Sequence, residues 1–245
     1  ESRRLAHYPA PASSHVQIPM TETSDLLVRF LLPEAGVRGA HVRLSDSWRE
    51  ILSHGRPGPA AARLLGEACA ATALFTGHIK IDGRLSVQLR SQSTLRTLFA
   101  ECTSAGTLRG IAQVEDGHDA PADLSQLGDD ALLAITIENP GLDPREPQRY
   151  QSLVALQGSS LDEVFEGYFR HSEQLPTRLL LATNGEHAAG LLLQKLPGDT
   201  GDDDGWVRTG ALFDTLERDE LLAIDGPELL HRLFHEEHPE LMGEK

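Results

Sequence analysis

The sequence is poor in cysteine, in aromatic residues and in positive charge, and each shortage closes off a class of protein. Its 245 residues include two cysteines, Cys69 and Cys102. Two are too few for a disulfide-stapled secreted scaffold, and no CxxC pair is available for zinc or redox work. Such cysteine usage points to a reducing cytosol. The longest nearly apolar stretch, Ala68 to Phe75, falls far short of the roughly 20 residues that span a bilayer. The N-terminus has no apolar region before a small-residue cleavage site, so nothing argues for export. Bases number 22 against 37 acids, a net charge of −15. A chain without basic excess lacks the electrostatic footprint of a nucleic-acid or anionic-membrane binder. The motifs GxGxxG, GxxxxGK[ST] and GxSxG are absent, so nucleotide binding and serine-hydrolase chemistry lose their usual signals.

What is present suffices for a packed core. Hydrophobic residues are 40% and charged residues 24% of a 26.7 kDa chain, the mix of a globular protein of one or two domains. The charge is unevenly placed. Residues 199–245 hold 14 acids and 4 bases, so two thirds of the net charge sits in the last 47 residues.

Residues 1–19 are rich in Pro, Ser and Ala without periodicity and read as a flexible leader, with Met20 as a plausible natural start. Residues 20–198 read as an α+β core. Val37–Leu44 reads as a strand, and Ser47-Trp48-Arg49-Glu50 as a capping box opening a short helix that ends near Gly55. A long helix follows over about Ala60–His78. Its apolar face comprises Ala61, Leu64, Leu65, Ala68, Cys69, Thr72 and Phe75, which makes Cys69 a small core hydrophobe. Asp82-Gly83 predicts a hairpin between Ile79–Ile81 and Leu85–Leu89. Further strands are expected at Leu95–Cys102, Leu108–Val114, Ala131–Ile137 and Leu153–Leu156. A second helix, from Leu161 to about Ser172, is capped by Ser160 and Glu163 and carries the stripe Leu161, Val164, Phe165, Tyr168 and Phe169. Strands at Thr177–Thr183 and Ala188–Leu193 are joined across Asn184-Gly185. Strands and helices mix without a regular βαβ repeat, which predicts a mostly antiparallel sheet with packed helices.

After Pro197 the character changes. Residues 199–237 read as an acidic helical linker, with helices at about Trp206–Leu216, Asp219–Ala223 and Pro227–Glu237, the last capped by Asp225. Residues 238–245 form a tail. Two constellations here invite a metal. His231, His235 and His238 stand at i, i+4 and i+7, but His235-Glu236-Glu237-His238 is one residue short of HExxH, and an exposed polar face is the better account. Asp199–Gly205 resembles a calcium loop, yet Thr200 and Ala211 would occupy two key ligand positions, so a solvated acidic turn is the better account there.

Ordered signatures along the chain resemble a known family. The run Ala73–Leu89 and then Leu108-Arg-Gly-Ile-Ala-Gln-Val114 are similar to the 33 kDa chaperonin family, the redox-regulated heat-shock holdases of bacteria. Tyr168-Phe169-Arg170-His171-Ser172-Glu173-Gln174-Leu175-Pro176-Thr177 resembles its YFxxSEQxPT signature. Ala189–Pro197 resembles its GGxLLQxLP strand, and Leu229–Glu237 the helix that closes its linker. The similarity spans about Leu26 to Glu237.

The resemblance implies an ATP-independent chaperone, not an enzyme. It implies a core, a metastable linker and a C-terminal switch in which four Cys, as CxC and CxxC, bind zinc when reduced and form disulfides when oxidised. No Cys follows Cys102, and neither cysteine lies in a zinc motif, so no cofactor is expected in this chain. Either the chain is a fragment of a protein that carries the switch, or the switch has been lost; the first is the expectation. Its partners would be unfolded or partly folded client proteins in the cytoplasm, with a homodimer, perhaps domain-swapped, and neither nucleic acid nor membrane. No catalytic residue is expected. The client-binding candidates are the linker stripes Trp206, Leu212, Phe213, Leu216, Leu221, Leu222, Leu229, Leu230, Leu233 and Phe234, together with the core surface they cover. Two alternatives stay open: a metal-dependent hydrolase using His231, His235 and His238, and a plain interaction module whose helical arm swaps onto a partner.

Overall fold

The computed structural model describes residues 25–79, 81–141, 148–198 and 201–244. The leader expected over 1–19, Met20, Lys80 and the first two positions of the acidic turn lie outside them. Strands β1 (Leu26–Leu32) and β2 (Val37–Leu44) precede helices α1 (Asp46–Gly55) and α2 (Pro59–His78). Five strands follow: β3 (Arg84–Arg90), β4 (Leu95–Thr103), β5 (Leu108–Val114), β6 (Leu132–Asn139) and β7 (Gln148–Val154). Then come α3 (Leu161–His171), β8 (Thr177–Thr183) and β9 (Ala188–Lys195). The chain ends with α4 (Gly205–Phe213), α5 (Arg218–Ala223), α6 (Gly226–Phe234), a 3-10 turn at His235–Glu237 and β10 (Glu240–Glu244).

The strands form two five-stranded sheets, in the orders β10-β1-β2-β9-β8 and β5-β4-β3-β6-β7. Every described strand pair is antiparallel. The α+β class expected from the sequence is the class observed.

Helix α2 lies between the two sheets and contacts both. This explains why every residue from Leu64 to Thr76 is buried, and not one face only. A helix without a polar side needs small residues where backbones approach. A Cβ at Gly66 would fall 2.3 Å from Thr183 Oγ1, and one at Gly190 would fall 2.6 Å from Leu74. Phe75 anchors the core edge-on against Phe165 (5.0 Å) and Phe169 (5.2 Å) of α3. Cys69 is buried here beside Gly110, and burial, then the nearby Cys102, pushes its thiol up to about 12. It is a core residue, as its place on the helix implied.

Several local expectations need correction. Ile79 and Ile81 do not form a strand, because α2 runs on to His78 and both edges of β3 are taken, by β4 and β6. Asp82-Gly83 is therefore no hairpin; Gly83 lets the chain pass β6, where a Cβ would fall 1.8 Å from the Glu138 carbonyl oxygen. The Ser47 capping box is not made. Asp25, outside the helix, accepts from the Ser45 and Ser47 N–H groups at 2.6 and 3.1 Å. Ser160 is the N-cap of α3, but Glu163 reaches back to the Ser159 N–H at 2.8 Å, one residue further out. The strand expected at Leu153–Leu156 is β7, which starts earlier and ends at Val154. Asp119, in a polar loop, caps α2 through the Ala60 and Ala61 N–H groups at 2.9 and 3.0 Å.

Candidate functional site

The first sheet has two apolar faces. One packs on α2. The other collects Val28, Phe30 and Leu32 from β1, Val37 from β2, and Leu191 and Leu193 from β9. Side chains at alternate positions share a face, and the registers Val28↔His41↔Leu191 and Phe30↔Gly39↔Leu193 set these rows side by side. This second face is covered by the last three helices.

Of the ten linker residues singled out from sequence, eight are buried in that cover: Phe213, Leu216, Leu221, Leu222, Leu229, Leu230, Leu233 and Phe234. Trp206 and Leu212 are partly buried at its margin. The stripes thus converge on one cluster with the sheet. Phe234 stacks on Phe30 with ring centroids 5.8 Å apart. Gly39 makes room for that ring, since a Cβ there would fall 2.1 Å from Phe30 Cζ.

The cover is also held by charge, which the sequence reading missed. Arg208 of α4 donates from Nε to Glu237 Oε1 at 2.6 Å and from Nη2 to Glu237 Oε2 at 2.9 Å. It also donates to Asp204 Oδ1 at 2.8 Å and Asp202 Oδ2 at 2.9 Å, closing a clasp between the two ends of the helical segment. The hydrogen bonds to Glu237 and Asp202 hold the guanidinium pKa above its ordinary value, against desolvation. Arg218 of α5 reaches into the core, donating to Asp162 Oδ2 at 2.6 Å and to the Leu181 carbonyl, 3.7 Å from Glu67 Oε1. Burial pushes the Glu67 carboxyl up, although Arg63 and Arg218 both pull it down. Arg232 of α6 binds Glu220 at 2.7 Å. Three of the four bases in residues 199–245 are therefore staples. A periodicity reading cannot find them, because the partners lie as far as 151 residues away, the separation of Arg218 from Glu67.

The two metal-like constellations dissolve in three dimensions. The expected single helix over Pro227–Glu237 ends at Phe234, and His238 has left-handed backbone (φ 50°) beyond the 3-10 turn. His231 and His235 stack face to face at 5.2 Å, while His238 turns toward Glu34 at 3.8 Å. In the acidic turn, the Asp202 and Asp204 carboxylates are taken by Arg208. Among the described residues no group of three or more His, Cys, Asp or Glu could hold a metal ion.

The centre of the covered face holds one polar side chain, His41 of β2. It is fully buried, and neither ring nitrogen has a hydrogen-bond partner. Burial, then the charge of Arg43, pulls its pKa down to about 4, against the pull of Asp225.

A family model described as Hsp33 protein matches residues 25–245. The chain is 44% identical over 229 residues to the 33 kDa chaperonin of Ectopseudomonas mendocina, covering 91% of this chain and 76% of that protein. It is 40% identical over 213 residues to the 33 kDa chaperonin of Chromobacterium violaceum, covering 87% and 71%. The fold is similar to the crystal structure of the 33 kDa chaperonin (Hsp33) of Thermotoga maritima. The TM-score is 0.69 at 19% identity, over 91% of this chain and 78% of that one. Catalysis by the C-terminal histidines is set aside by this kinship. Full-length members of the family bind zinc, but the two buried cysteines of this chain, on α2 and β4, do not fit such a site. With a sheet face held under a strapped helical cover and kinship along nearly its whole length, the chain belongs to the Hsp33 family of redox-regulated holdase chaperones.

Proposed function

We propose that the covered face of the first sheet is the client-binding surface and that α4–α6 are its releasable cover. The observation that carries this is the second apolar cluster, in which Val28, Phe30, Leu32, Val37, Leu191 and Leu193 meet the stripes of all three helices. Unfolding proteins expose apolar side chains, and an apolar sheet face freed of its own helices offers them the same burial. The stripes themselves, from Trp206 to Phe234, bind clients once released. Residues 20–198 act as the binding core and residues 199–237 as the linker. Acids dominate the linker, and their mutual repulsion keeps a released arm soluble.

The arm is also the element that a homodimer exchanges between copies. A cytoplasmic setting goes with the two core thiols, and among the described residues no helix is long and apolar enough to cross a membrane.

The test is deletion of residues 199–245. Under reducing conditions the shortened chain is expected to suppress aggregation of a thermally unfolded client at lower molar ratio than the parent chain. A shortened chain that stays folded by circular dichroism and shows no gain refutes the reading.

A further inference from the structure

We propose that protonation of His41 releases α4–α6 from the first sheet, making acid a second trigger for uncovering this surface. His41 sits on a central strand, on the face the helices cover, with no exposed surface and no hydrogen bond at either ring nitrogen. The helical cover comes right up to it. A Cβ at Gly226, the first residue of α6, would fall 2.9 Å from His41 Nδ1. An imidazolium in that place would carry two N–H donors and a full charge with nothing to receive them. The only remedy is water, and water reaches the ring when the cover lifts.

The groups around the ring set the balance. On either side along the sheet stand Val28 of β1 and Leu191 of β9, neither of which can accept a proton or a hydrogen bond. On its own strand Arg43 opposes the charge. From the head of α6, Asp225 favours it, but that carboxylate is already the helix N-cap, accepting from the Glu228 N–H at 2.9 Å. The docked ring titrates at about 4, and a solvated one near 6.5.

A group whose pKa is depressed in the docked state weakens docking as pH falls. Docking is at full strength above about pH 6.5 and is lost progressively toward pH 4. Between pH 7 and pH 5 the ratio of released to docked chain rises about 20-fold from this residue alone.

The holdase consequence rests on the client-binding reading above, so release and client binding are measured separately. Amide hydrogen exchange of the whole chain, in reductant and expressed as protection factors, is followed at pH 7 and pH 5 for wild type, His41→Leu and His41→Gln. The variants differ from wild type only in the ring, so the difference between the chains isolates the histidine. The expected result is an approximately 20-fold larger loss of α6 protection in wild type than in either variant, with β3–β6 unchanged. Equal pH dependence in all three chains overturns the proposal, as does loss of α6 protection only together with the whole sheet. Acid release without better suppression of client aggregation upholds the histidine trigger and refutes the client-binding reading.

Discussion

Replacing Phe234 by alanine tests whether the cover is a separable element. The side chain is fully buried and its ring stacks on Phe30, so the truncation empties the contact between α6 and the sheet. Core Phe→Ala changes cost about 3–5 kcal/mol. The lower value applies here, because a helix that docks as a unit closes partly over the cavity. A loss of about 3 kcal/mol raises the opening constant roughly 150-fold, at 1.36 kcal/mol per tenfold. Because Phe234 belongs to the apolar cluster between α4–α6 and the outer face of the first sheet, and not to the core around α2, the loss falls on α4–α6 and leaves α2 and the second sheet untouched. Native-state hydrogen exchange reads this directly: amides of α5 and α6 lose protection about 150-fold, while those of β3 and β4 keep theirs. Client aggregation in reductant is suppressed more strongly in the same variant. Val207→Ala, at a position 72% exposed on α4, serves as the control and changes neither. Uniform loss of protection in helices and both sheets refutes the reasoning, because the cover would then be part of one cooperative core.

Two further outcomes follow from the same contacts. Arg218→Ala strips the cation from Asp162 and Glu67, both nearly buried, and leaves Glu67 with Arg63 alone. The Arg218 side chain is 44% exposed, so solvent screens the pair and the expected loss is about 1–3 kcal/mol, below that of a fully buried pair. Urea denaturation showing no change would sink the staple assignment. Cys69, with its thiol pushed up to about 12, stays unmodified by iodoacetamide at pH 8 in the folded chain and reacts on unfolding. Rapid stoichiometric labelling of the native protein would contradict its burial.

Much of the fold was legible because local periodicity survives wherever one face is buried. β5 and β8 match the strands expected at Leu108–Val114 and Thr177–Thr183 end for end, and α3 ends within a residue of its expected end, because Leu161–Phe169 keeps a helical stripe. β1 was missed. Its sequence Leu-Leu-Val-Arg-Phe-Leu-Leu buries residues on both faces, which erases the alternation that marks a strand. β10 was missed too, since its only described partner is β1, more than 200 residues away in sequence.

The same division runs through the candidate site. Sequence by itself determined the shortage of cysteine, the acidic C-terminal segment and the apolar stripes of its helices, all of which are local or compositional properties. Its ordered signatures also determined the family. Only the tertiary structure decided that the stripes share one face of one sheet, that Arg208 and Arg218 strap them down, and that His41 lies beneath them without a partner. These are meetings between residues 29 to about 200 positions apart. Nothing in the spacing of either partner records them, because burial and charge pairing are made by the chain's return and not by its local run.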